Sequence, residues 1–315
     1  MTEYKENSKA PITDFTKYPR EFVTYKWYRP LLTLIAFWIV FILLANVLTI
    51  SIAMINGREY SQAVLNLTGG YDDFNVYSGP GALATLGTIS VMIPALALAN
   101  KLAGRRTFRS YESSRGGWNF GIFFKCLLIG LVIVAVPVFI VQVVLYGKSG
   151  VNQFTLIGLI FCTILGPIQC IAEEYLFRGL FLQSIGSWLR IPVAAIVIQS
   201  IIFAAMHPYN IIGVIDVLFT GIIFGLVAWI SHGIEASSAL HICNNMAVFY
   251  ATGLGFGNIS SDSDIPSMVA SMILVVIYTA VILLLRKRGM FDVRKADDAA
   301  EYNAKIEAKL AAKAS

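Results

Sequence analysis

Eight stretches of mostly apolar residues, each near the length that crosses a bilayer, dominate this 315-residue chain. They cover 31–55, 81–102, 120–146, 154–188, 191–207, 212–231, 236–255 and 267–285. About 20 apolar residues span the hydrocarbon core as an α-helix. In lipid, every backbone polar group has to be satisfied internally, which leaves helices as the spanning element here. The series therefore predicts an all-α fold, a polytopic membrane bundle of about eight transmembrane helices. Composition agrees: the chain is 57% hydrophobic and 14% charged, against about 25% charged in ordinary soluble domains. The fourth stretch is too long for a simple span, so it has to tilt, kink or project from the bilayer. Only His207-Pro208-Tyr209-Asn210 separates the fifth from the sixth, which predicts a tight reversal.

The formal net charge of +5 raises the question of nucleic acid, and the charge distribution answers it. In the eight-span arrangement 20 of the 24 Lys and Arg residues fall on one side: six in 1–30, five in 101–118, Arg190, and eight in 286–315. Arg58 and Lys148 fall on the other side, and Lys125 and Arg178 lie within spans. Basic residues concentrate on the cytoplasmic side of membrane proteins, so both termini are expected in the cytoplasm. The cations then serve as topology signals, and no nucleic-acid partner is implied. The expected organisation is a cytoplasmic segment over 1–30, a transmembrane domain over 31–286 and a cytoplasmic tail over 287–315. The loop from about 56 to 80, with Gly69-Gly70 and Asp72-Asp73, reads as a solvated extracytoplasmic turn region. The tail from about 291 reads as a frayed or solvated helix. No cleavable signal peptide is expected, because roughly thirty mostly polar residues precede the first apolar run. The Ala-Lys-Ala-Ser end carries no lipidation motif. Cys126, Cys162, Cys170 and Cys243 lie singly in apolar runs without a C-x-x-C pair, which predicts buried thiols rather than disulfides or a zinc knuckle.

Ionisable residues inside spans are costly and are functional candidates. Most of them here fall between 173 and 245. In Glu173-Glu174-Tyr175-Leu176-Phe177-Arg178, Glu174 and Arg178 stand at i and i+4 on one helix face, the favourable order for an ion pair. Glu173 is turned about 100° away and has Phe177 at i+4. Either both carboxylates share Arg178 structurally, or Glu174 is held by Arg178 while Glu173 faces a wet cavity. A second cluster, Phe203-Ala204-Ala205-Met206-His207, ends in an imidazole that is structural, interfacial or functional. In the third, His241-Ile242-Cys243-Asn244-Asn245, His241 and Asn245 share a face, and Asn244 points elsewhere as a packing polar group. Taken together these supply a carboxylate, two imidazoles and an amide, enough to activate water and stabilise an oxyanion.

The order Glu-Glu-x-x-x-Arg, Phe-x-x-x-His, His-x-x-x-Asn, each motif on its own helix, resembles the CPBP family of CAAX proteases and bacteriocin-processing enzymes, also called the abortive-infection family. The matching residues are Glu173, Glu174 and Arg178, then Phe203 and His207, then His241 and Asn245. The resemblance covers about 150–255, the expected protease core, and includes the lead Gly233-Ile234-Glu235-Ala236-Ser237-Ser238-Ala239-Leu240 into the third motif. It implies a glutamate-dependent intramembrane endopeptidase that needs no cofactor and acts on a peptide or membrane-protein substrate. Glu173 with His207 would activate the attacking water, His241 and Asn245 would stabilise the oxyanion, and Glu174 and Arg178 would support them. The resemblance and the basic topology also imply a bacterial cell membrane, where prenylated substrates are not expected. Asp216, in the sixth stretch, lies outside the motifs and takes no role.

Three other readings stay open. Glu173, His207 and His241 could form a two-His, one-carboxylate zinc site with an open position, although His-Glu-x-x-His is absent. Buried Glu, His and Asp also mark ion- or proton-coupled transporters, but no pair of matching halves with broken helices is visible. A non-catalytic scaffold, or an immunity protein against a peptide toxin, is the third. Depth offers one check. Glu173 and His207 each lie about 16 residues, or about 24 Å, from the cytoplasmic ends of their antiparallel stretches, so they can meet. His241 is only about six residues into its stretch. Either that helix begins earlier or its neighbours project beyond the bilayer. The sequence does not give the oligomeric state.

Overall fold

The structure is a computed structural model, and it describes residues 12–56, 75–148, 150–257 and 264–314. Each apolar stretch forms a helix. In chain order these are α1 Arg29–Asn56, α2 Gly79–Gly104, α3 Phe120–Tyr146, α4 Leu156–Leu189, α5 Pro192–Ala205, α6 Ile211–Ile230, α7 Glu235–Gly253 and α8 Ile265–Lys287. A ninth helix, α9 Asp298–Ala314, lies in the tail. Among the described residues there is no strand, only an isolated bridge between Ser113 and Gly233. The predicted turn region with Gly69-Gly70 and Asp72-Asp73 lies outside the described residues.

Six of the eight, α1–α4, α6 and α8, are long and apolar enough to cross a membrane. The other two carry the second and third motifs, and they fall short for different reasons. α5 has 14 residues, so it is about 21 Å long against a hydrocarbon core of about 30 Å. Pro192 starts it at N1/N2, where the missing N–H is not needed, and the chain turns back through His207-Pro208-Tyr209-Asn210 into α6. The Asn210 side chain caps α6 by accepting from the Gly213 N–H at 2.9 Å. α7 is long enough but polar, with Glu235, Ser237, Ser238, His241, Asn244 and Asn245 along it. It tolerates them because 14 of its 19 residues are buried in protein. α3, α4, α6 and α8 all pack against it. A helix sheathed in other helices answers to side-chain partners rather than to lipid.

Close approach to α7 is made at small residues. A Cβ on Gly130 of α3 would stand 2.7 Å from Cys243 Sγ, and one on Gly166 of α4 would collide with Met246. By contrast, α1 buries only Thr33, Phe37, Thr49 and Ile52. Its remaining apolar surface suits the lipid of a peripheral helix.

α4 has 34 residues, about 51 Å of helix. Its last turns, Gln183–Leu189, pack against a short 3-10 helix at Phe15–Glu21. Arg20 Nη1 donates to the Ser187 carbonyl at 2.8 Å, Trp188 Nε1 to the Trp27 carbonyl at 2.7 Å, and Gln183 Nε2 to the Ser110 carbonyl at 2.9 Å. The layer formed at this end also holds the loop from 105 to 119, the α6–α7 turn and the start of α9. Ser114 Oγ donates to the Thr13 carbonyl, Lys295 N to the Arg115 carbonyl, and Arg109 pairs with Asp298 at 3.0 Å. The tail is therefore not wholly solvated, as the sequence suggested. Ala299 and Tyr302 pack on Tyr18 and Phe22, while the later turns of α9 are exposed.

Candidate active site

The first turn of α7 is fixed from outside. Ile234 N donates to the Glu112 carbonyl at 2.8 Å, and Ser113 Oγ donates to the His232 carbonyl at 2.9 Å. Glu235 receives Arg115 Nη2 at 2.7 Å on one oxygen and the Asn119 N–H at 3.0 Å on the other. Both side chains of that pair are buried. An acid in the first turn also complements the helix dipole. His241, two turns on, then points at the second half of α4.

α4 presents its two glutamates just before a π-helical segment, Tyr175–Leu182, that contains Arg178. Such widened turns often occur at functional sites. Arg178 Nη1 donates to Glu174 Oε1 at 2.7 Å, and both side chains have 0% exposure. Arg178 Nη2 donates to the Gly221 carbonyl of α6 at 3.1 Å. The guanidinium also lies over the Phe203 ring at 4.7 Å and the Phe224 ring at 5.2 Å. The buried cation therefore meets a carboxylate of its own helix, and a carbonyl and two aromatic faces from α5 and α6. The i,i+4 pair expected from the sequence is thus present in the fold.

His241, 1% exposed, stands between the two carboxylates. Its Nδ1 lies 3.0 Å from Glu174 Oε1 and its Nε2 lies 3.3 Å from Glu173 Oε2. An ionised carboxylate only accepts, so Nδ1 carries a hydrogen and donates to Glu174. Nε2 then accepts from Asn245 Nδ2 at 3.0 Å, or, when protonated, donates to Glu173. Glu174 thus fixes both the tautomer and the ring orientation of the imidazole. Glu173 is 8% exposed, so its carboxylate is nearly buried without being sealed.

His207 sits just past the end of α5. Its Nδ1 donates to the Phe203 carbonyl at 2.7 Å, leaving the Nε2 lone pair as the proton acceptor. The Phe203 ring lies between the two imidazoles, with centroids 4.6 Å from His207 and 6.3 Å from His241. Direct contact joins Glu173 to His241; the pairing expected from the sequence, Glu173 with His207, is through a shared water rather than a contact. The separation inferred from depth was misleading for His241. Its helix begins at Glu235, one residue earlier than expected, and α4 runs on into the end layer. Both adjustments bring the two residues to one level.

Among the described residues, no three His, Cys, Asp or Glu side chains are grouped to hold a metal ion. Cys126, Cys162, Cys170 and Cys243 are free and buried. Asn244, read from its helix face as a packing group, instead touches the site, because its Nδ2 donates to Asn245 Oδ1 at 3.2 Å. The sequence signal was its adjacency to Asn245, which a one-face helical reading discards.

Residues 152–247, which contain all three motifs, match the family model described as type II CAAX prenyl endopeptidase Rce1-like. No curated protein and no solved structure matches the chain at a significant level.

Proposed function

We propose that the chain, whose residues 152–247 match the Rce1-like family model of the CPBP family, is an intramembrane protease that hydrolyses peptide bonds with Glu173 as the base. The observation that carries this reading is the placement of His241 between Glu173 and Glu174. A nearly buried carboxylate lies beside an imidazole whose tautomer is set by a second carboxylate, itself neutralised by Arg178. In the proposed reaction Glu173 takes a proton from water as the oxygen attacks the scissile carbonyl. His207 Nε2 accepts on the same water. Asn245 Nδ2 donates to the oxyanion, and His241 joins it once Glu173 has passed that proton to its Nε2, 3.3 Å away. The proton is then delivered to the leaving amine, so acid and base roles close without a net change. Glu174 and Arg178 are supporting residues that hold His241. The reaction so written needs no cofactor. The substrate is a peptide or a membrane protein reached within the bilayer, and the enzyme lies in a bacterial cell membrane with both termini cytoplasmic.

The test compares Glu173→Gln with Glu174→Gln, each purified as a monodisperse protein, on a peptide library. Glu173→Gln keeps shape and hydrogen-bonding capacity but removes the base, so cleavage should fall by about 10²–10⁴-fold with the protein still folded. Glu174→Gln loosens His241 and should cost less in rate and more in stability. Near-normal cleavage by Glu173→Gln overturns the mechanism.

A further inference from the structure

The Asn245 amide is chemically two-ended, and only the Nδ2 end can donate to an oxyanion or to His241 Nε2. Its orientation is decided by neighbours outside the three motifs. Asn244 Nδ2 donates to Asn245 Oδ1 at 3.2 Å, which turns Asn245 Nδ2 toward His241 Nε2 at 3.0 Å. Asn244 is oriented in turn by α8: Ser271 Oγ donates to Asn244 Oδ1 at 3.5 Å. Asp216 of α6 lies beside Ser271, and its Oδ1 is buried without a hydrogen-bond partner among the described residues. Three helices thus contribute to one polar track, α6 with Asp216, α8 with Ser271 and α7 with Asn244, ending on the donor of the site. Ser271 lies outside the segment that matches the protease family.

We propose that Asn244 and Ser271, backed by Asp216, are positioning residues that hold the Asn245 amide with its N–H toward the reacting carbonyl. The proposal rests on the endopeptidase reading for its consequence, and on the hydrogen bonds for its geometry. Without Asn244, the Asn245 amide can turn its oxygen toward the site, where it would repel a developing oxyanion rather than stabilise it. The effect belongs to the transition state, so it appears in kcat and not in KM. α8 becomes part of the catalytic assembly rather than a closing wall of the bundle.

The experiment measures kcat and KM on a peptide that the wild-type protein cuts in the library assay. Asn244→Ala should lower kcat about tenfold with KM within about twofold. In an Asn245→Ala background the same change should cost nothing further, because a residue that acts through Asn245 has nothing left to position. Ser271→Ala should lower kcat severalfold, and Ser271→Thr should restore it. Spectra of protein labelled with 15N-asparagine supply a readout independent of turnover. The Asn245 carboxamide signal, identified by its loss in Asn245→Ala, should move in both Asn244→Ala and Ser271→Ala at unchanged melting temperature. Wild-type kcat in Asn244→Ala, a full additive loss in the double variant, or an unmoved Asn245 signal in both variants each overturns the proposal. If Asn244→Ala does not fold, the Ser271→Ala and Ser271→Thr pair carries the same comparison. Failure of the endopeptidase reading is a different result, in which wild type cuts no peptide or Glu173→Gln cuts normally. The carboxamide signals then decide the positioning alone.

Discussion

Arg178 illustrates how much one side chain can hold at the residue scale. It neutralises Glu174, reaches the Gly221 carbonyl on α6, and lies against Phe203 of α5 and Phe224 of α6. Removing it leaves Glu174 buried with His241 but without its counter-ion, and breaking such a buried pair costs about 3–5 kcal/mol. Arg178→Ala should therefore lower folded yield and melting temperature together with activity. A variant with normal yield, melting and turnover would show that the pair is dispensable. The i,i+4 spacing made this pair legible from the residues alone, because its geometry is settled within one turn of helix. The contact between His241 and Glu173 was not legible, since these residues are 68 positions apart in sequence. Only the level at which α7 starts against α4 brings them together.

At the scale of the element, the informative feature is a polar helix inside an apolar bundle. α7 stands at the centre because its neighbours approach it at glycines. Gly130→Ala would place a methyl group 2.7 Å from Cys243 Sγ and 3.3 Å from Cys243 Cβ. Overpacking of this kind costs about 1–3 kcal/mol. The melting temperature of Gly130→Ala in detergent should fall accordingly, and Cys243→Ala should recover part of the loss by removing the sulfur. No recovery would mean that α3 yields elsewhere. Hydropathy located both α5 and α7, although α5 has only 14 residues and α7 is polar. Burial by other helices makes the polarity of α7 tolerable.

The whole molecule has an end layer built from segments far apart in sequence, and this is where topology and pH response belong. If both termini are cytoplasmic, as proposed, Arg109→Cys in a background lacking the four native cysteines should react with an impermeant maleimide only after cells are opened. Asn152→Cys, in an exposed loop at the opposite end, should react on intact cells. The reverse pattern would invert the bundle. His232 lies in the turn that fixes the start of α7. Burial first, then the Arg286 and Arg115 charges, push its pKa down to about 4, and its Nδ1 is buried without a hydrogen-bond partner among the described residues. The folded state binds this proton less readily than the unfolded chain. Stability is therefore complete above the ordinary value of about 6.5 and is lost as pH falls toward 4. Its left-handed backbone, φ 58°, is one that asparagine also adopts. His232→Asn should lose less stability than wild type between pH 6.5 and 4, by about 1–3 kcal/mol. Parallel loss in the two proteins would remove His232 from the acid response.

Sequence by itself determined the helical class, the position of every apolar helix to within a few residues, the Glu174–Arg178 pair and the three motifs of the candidate site. These follow from hydropathy and from helical period, which act over neighbours in the chain. Tertiary structure alone decided that His241 stands between two carboxylates, that α7 is sheathed rather than lipid-facing, that α4 runs on into an end layer, and that Asn244 and Ser271 reach Asn245. Those outcomes depend on helix level and closeness of approach. Both are set by glycine contacts and by the end-layer hydrogen bonds, interactions between residues that no local pattern relates.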